Sequence, residues 1–135
     1  MPTPTLTPLP GLRFYTLTPC RVVDTRGPTG TYGGPALLAG SNRTFVFNGQ
    51  CSVPPTAVSV ALNVVAVSPT AAGFLTLWPG GVPRPLASTI NYKIGSIRAN
   101  NAIISEGALK DIAVYCGQVA GTTDLVIDVY GYFAP

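Results

Sequence analysis

Residues 57–67 read Ala-Val-Ser-Val-Ala-Leu-Asn-Val-Val-Ala-Val and contain no glycine, proline or charge. One alternating set is Val58, Val60, Leu62, Val64 and Ala66. The other is Ala57, Ser59, Ala61, Asn63, Val65 and Val67, smaller but still mostly apolar. Apolar residues on both faces mark a strand that is covered on both sides or lies inside a sheet. A helix is the rival reading. The valine-rich composition and Pro54-Pro55 just upstream favour a strand. The rest of the chain must then be organised around this strand.

Fifteen glycines and fourteen prolines cut the remainder into short segments, as in a sandwich or barrel. With 135 residues the chain is long enough for one domain with a real core. Only 10% of residues are charged, against about 25% in ordinary soluble domains. Such a surface is built from Thr, Ser, Asn, Gly, Pro and backbone, which suits extracellular proteins and subunits that bury their surface against neighbours. The eight basic residues never form a run, so no nucleic-acid stripe exists. Histidine is absent, which removes the commonest general base and metal ligand. No apolar stretch reaches the ~18 residues of a membrane-spanning helix. The first ten residues also lack the basic and apolar blocks of a secretory signal, so a signal has been removed, the chain is an excised domain, or export takes another route.

Residues 1–11 form a Pro/Thr segment, extended and polyproline-like, that serves as an interdomain linker or as an arm. We expect an arm that packs along a groove of a neighbouring copy through Thr3, Leu6 and Leu9. Residues 12–135 form the β domain. Strands are expected at 12–18 and, after an interruption by Pro19, at 20–24. A long Gly/Pro-rich loop covers 25–41, with further strands at 44–47 and 57–67. The segment 74–78 is expected to pair back on the central strand as a hairpin. Strands at 88–92, 97–104, 111–116 and 125–133 complete the set. The sum is an all-β, single antiparallel β-sandwich or jelly-roll-like barrel of about nine short strands.

Several strings stand in a distinctive order: Thr18-Pro-Cys-Arg-Val-Val-Asp-Thr-Arg26, Gly49-Gln-Cys-Ser-Val-Pro54, Leu62-Asn-Val64 and Gly73-Phe-Leu-Thr-Leu-Trp-Pro79. Arg84-Pro85, Ser88-Thr-Ile-Asn-Tyr92, Ala99-Asn-Asn-Ala102 and Ile127-Asp-Val-Tyr-Gly-Tyr-Phe133 follow. From Phe14 to Phe133 this set resembles a family of β-rich modules of secreted and surface-exposed bacterial proteins. Those modules occur as repeats or beside hydrolases and have no established activity. The resemblance implies an extracellular all-β domain and implies no reaction. It also implies which cysteines pair: relatives of the pattern carry the equivalents of Cys20 and Cys51 together. Cys116 is then left over, buried or available for an intermolecular bond. The cysteine spacings do not fit a zinc site.

Asp24, Arg26 and Asp128 are a candidate ion or ligand site, set against a structural reading in which Arg26 pairs with Asp24 or Asp128. Asp124 and Asp128 share one face of the last strand, where calcium with backbone carbonyls is the one cofactor considered. Positions four apart along a strand are about 13 Å apart, too far for a catalytic carboxylate pair. Trp78, Tyr92, Tyr130 and Tyr132 form either a sugar-stacking platform or core. The expected function is that of a non-catalytic structural subunit that assembles with itself through its arm and sheet edges, as in a bacterial surface filament. The alternative is a carbohydrate-binding or adhesion module from a larger secreted protein, with cell-surface glycans as partners.

Overall fold

The computed structural model describes residues 2–4 and 11–135. Nine strands follow in order: β1 (Arg13–Asp24), β2 (Leu37–Leu38), β3 (Asn42–Val46), β4 (Ser59–Val67), β5 (Gly73–Pro79), β6 (Ile90–Tyr92), β7 (Ile97–Ser105), β8 (Asp111–Gln118) and β9 (Thr122–Ala134). They form two antiparallel sheets. The first runs β1-β9-β4-β7, with β2 added against β9, and the second runs β3-β8-β5-β6. Among the described residues no helix is long and apolar enough to cross a membrane.

The pairing has a simple logic. β1 pairs with β9, β3 with β8, β4 with β7, and β5 with β6. The chain is thus one long antiparallel ribbon, folded at the β5–β6 end and wrapped so that successive pairs fall into opposite sheets. That wrapping is a jelly roll. As expected, the strand at 57–67 lies inside a sheet, between β9 and β7.

The period of two places Val60, Leu62, Val64 and Ala66 of β4 inward, with Leu125, Ile127 and Val129 of β9 and Val23 of β1. From the second sheet Phe45, Leu75, Leu77, Ile112 and Val114 meet them in one core. Each such side chain contributes roughly 1.5–3 kcal/mol when fully buried.

Two expectations need correction. The segment 74–78 does not pair back on the central strand: β5 crosses to the other sheet and lies between β8 and β6. Its inward Leu75 and Leu77 fill the core from the face opposite β4, which a hairpin with β4 would forbid. Pro19 does not end the first strand either. Leu17, Thr18 and Pro19 stand opposite the single residue Tyr130, and pairing resumes at Cys20 with Val129. A residue without an N–H is tolerated at such a bulge on an edge strand. The long loop 25–41 contains the short strand β2, whose Leu37 is buried. Arg43 pins that loop by donating to the carbonyls of Gly30 and Pro35 at 2.7 and 3.0 Å.

Candidate functional site

The polar cluster foreseen around Asp24 assembles on β1 and β9, with one member that the sequence reading missed. Arg21 lies opposite Asp128 in the ladder. Its Nε donates to Asp128 Oδ1 at 2.8 Å and its Nη2 to Oδ2 at 3.3 Å. Arg26 turns back on Asp24 instead, donating from Nε and Nη2 at 2.9 Å each. Arg26 therefore serves Asp24 and not Asp128. Arg21 reaches towards both acids, with its Nη1 3.8 Å from Asp24 Oδ2.

The electrostatics follow from this geometry. The Arg26 side-chain hydrogen bond, more than any other contact, holds the Asp24 carboxyl below its ordinary range. The Asp128 hydrogen bond raises Arg21 in turn. Two carboxylates facing two guanidiniums are charge-balanced, and Asp24, held below its ordinary range, is not poised to exchange a proton near neutrality. The Asp24 contribution to stability is present above the ordinary carboxyl pKa and is lost only as pH falls through its lowered folded value. Both acids are partly solvated, so the Arg21–Asp128 pair clips β1 to β9, and the Arg26–Asp24 pair closes the turn after β1, more than either stabilises the fold. Replacing Asp128 by Asn is expected to cost less than about 1 kcal/mol in urea denaturation; a loss of several kcal/mol would show that the cluster does more.

Asp124, the other acid on that face, accepts from Thr25 Oγ1 at 2.8 Å, and the same hydroxyl receives the Leu125 N–H at 2.8 Å. The carboxylates considered for calcium on β9 are thus held separately, by Thr25 and by Arg21. No cluster of three or more His, Cys, Asp or Glu occurs among the described residues.

Cys20 and Cys51 are joined in a disulfide, with Cα atoms 5.8 Å apart. Cys116 is free and buried, beside the Tyr92 hydroxyl. Burial, above all else, pushes its thiol upward, so it lacks the thiolate character of a nucleophile. Tyr92 is buried as well, and donates to Gln118 Oε1 at 2.6 Å. Burial is also the main cause that raises its phenol further above its ordinary value.

The aromatic row does not form one platform. Trp78 and Tyr92 are buried, while Tyr130 and Tyr132 are half-buried on β9. Tyr132 stacks on Tyr15, with ring centroids 5.1 Å apart. Trp78 is covered from outside by the loop 80–89. Its Nε1 donates to the Val82 carbonyl at 2.9 Å, and Thr76 Oγ1 donates to the Ala87 carbonyl at 2.6 Å. Arg84 of that loop sits over the Tyr115 ring, 3.5 Å from the centroid. Beside it a half-open groove of about 320 Å³ runs past Phe74, Arg84, Leu86 and Asn91. No carboxylate lines that groove, so the paired acids of a glycosidase are not assembled there.

Thr3 of the expected arm is exposed and in no regular element. Leu6 and Leu9 lie outside the described residues. The most open strand is β7, one edge of the first sheet, which pairs only with β4. Ile97 and Ile103 are opposite Val67 and Ala61 on the outward face, and are 74% and 65% exposed.

No protein-family model matches the chain, and no curated protein matches it. Among solved structures, the coat protein of Tobacco streak virus is similar over 93% of this chain and 90% of that one, at 13% identity and a TM-score of 0.36. The jelly-roll assignment rests on the strand pairing of this chain itself.

Proposed function

We propose that the chain is a non-catalytic structural subunit that assembles with copies of itself, through residues 1–11 and its sheet edges, in an extracellular assembly such as a bacterial surface filament. One observation carries the reading. The first sheet has two different edges: β7, long, exposed and unpaired on its outer side, and β1, which residue 11 leads into. An unpaired edge of this length is a template for another chain unless it is blocked. β7 carries one charge, Arg98, and no proline or bulge. A contact that joins the β1 side of one copy to the β7 side of the next is heterologous, and such contacts propagate when the rotation does not close. The disulfide supports an oxidising compartment. The adhesion alternative has less behind it, because Trp78 and Tyr92 are buried and unavailable to a flat sugar.

Assembly is tested by analytical ultracentrifugation and negative-stain microscopy of three chains: unaltered, lacking residues 1–10, and carrying Ile97→Lys with Ile103→Lys. The unaltered chain is expected to form oligomers or fibres. The other two are expected to remain monomeric with an unchanged far-ultraviolet spectrum. A monomeric unaltered chain, or a truncated chain that polymerises equally well, overturns the reading.

A further inference from the structure

The chain has five carboxylate side chains. Asp24, Asp124 and Asp128 each accept from a donor described above. Glu106 and Asp111 do not. Both carboxylate oxygens of Glu106 and Oδ1 of Asp111 are buried, and none has a hydrogen-bond partner among the described residues. Asp111 as a whole is only 7% exposed.

The two acids belong to the same end of the sandwich. Glu106 directly follows β7, and its N–H is bonded to the Val58 carbonyl at 2.9 Å. Asp111 opens β8, and the turn between them is closed by the Lys110 N–H on the Gly107 carbonyl at 2.9 Å. The Asp111 carbonyl accepts from Gly107 at 2.8 Å and from Gly80 at 3.0 Å, which stitches the turn after β5 to the turn before β8. The Asp111 side chain lies against the same two glycines. A β-carbon on Gly80 would fall 2.2 Å from Oδ2. One on Gly107 would fall 2.5 Å from Oδ1 and 2.2 Å from the Gly80 carbonyl oxygen. Only glycine at both positions lets these oxygens converge. No backbone N–H among the described residues donates to the Gly80 carbonyl.

Glu106 shares this environment. Burial raises its carboxyl first, the charge of Asp111 adds to that, and Lys110 opposes it. Lys110 does not neutralise either acid by contact. Its Nζ donates to the Ala57 carbonyl at 2.7 Å, and it forms no ion pair among the described residues. Buried carboxylate oxygens without donors carry a desolvation cost that a facing cation offsets.

We propose that Glu106, Asp111 and the Gly80 carbonyl oxygen bind a hard divalent cation of the calcium class where β5, β7 and β8 meet. The donors are all oxygen, and the chain has no histidine to favour a softer metal. Calcium accepts carboxylates and backbone carbonyls in irregular geometry and completes its shell with water, whereas magnesium demands a regular octahedron. Two acidic side chains set a weak site, with a dissociation constant of about 10⁻⁴–10⁻³ M, as in extracellular calcium modules. This site is independent of the assembly reading.

The test is thermal denaturation of the chelator-treated full chain with added calcium chloride, and with magnesium chloride for comparison. At about a hundred times the dissociation constant, calcium is expected to raise the midpoint by roughly 5 °C or more, and magnesium by much less. Glu106→Gln and Asp111→Asn are expected to abolish the calcium shift, and Asp128→Asn to keep it. A midpoint that calcium leaves unmoved, or moves equally in all chains, overturns the site. If the two variants do not fold, terbium titration of the unaltered chain decides. Emission sensitised through Trp78, the only tryptophan, and displaced by calcium supports the site; its absence overturns it.

Discussion

Replacing both Cys20 and Cys51 by serine, or reducing their bond, is expected to lower stability by about 3–4 kcal/mol. The bond closes a loop of sequence separation 31, and in the chain-entropy account the gain comes from the unfolded chain that it constrains. In the folded chain it ties β1, just past the bulge at Pro19, to the turn that leads from β3 towards β4. Val53, two residues beyond Cys51, is buried in the core, so the tether also sets where the central strand is entered. The melting temperature is expected to fall by roughly 10–15 °C for a domain of this size. Urea denaturation with and without reductant measures it directly. Coincident curves would mean that the first sheet and its core already restrict the chain as tightly as the bond does.

Trp78→Ala is expected to cost about 3–5 kcal/mol, the range for truncating a buried large aromatic. Trp78 is 5% exposed although it points away from the core between the sheets. Its burial comes from the loop 80–89, which it holds through the Val82 carbonyl. The substitution therefore removes packing and releases the loop together. Hydrogen exchange is expected to accelerate at residues 80–89, while the amides of β4 and β9 keep their order of protection. The Arg84 stack on Tyr115 and the groove beside Phe74 should be lost with the loop. A loss below about 1 kcal/mol would show that the loop is held without the indole, by Thr76 and by Thr89, whose hydroxyl accepts the Leu77 N–H at 2.9 Å.

The architecture was legible where a residue's own neighbours in sequence determine its environment. The valine-rich alternation of residues 57–67 marks a strand that is covered or lies inside a sheet, and it lies between β9 and β7 with its outward Ala61, Asn63 and Val65 half-buried. Phe45 and Phe47 fall on one side for the same reason of period. The partner of β5 was not legible, since a short connection suggests a hairpin while the wrapped ribbon places β4 and β5 in opposite sheets. At Pro19 the missing N–H suggests a break, yet an edge strand can carry it as a bulge. Arg21 was overlooked beside Arg26, although it alternates in phase with the face that β1 presents to Asp128. Nothing near Glu106 or Asp111 in sequence announces burial. The signal is Gly80, some thirty positions away, and only the fold brings it there.

The place of β9 has a consequence for how the chain is delivered. It is the last strand, yet it pairs with β1, β4 and β2 and holds the first sheet together. A chain fed out from its N-terminal end, whether from a ribosome or through a translocation pore, leaves β1 and β4 with nothing between them until residues 122–134 emerge. Most of the pairings that matter join positions far apart in sequence, which also makes closure slow. Residues 122–134 are thus the latch that closes the first sheet.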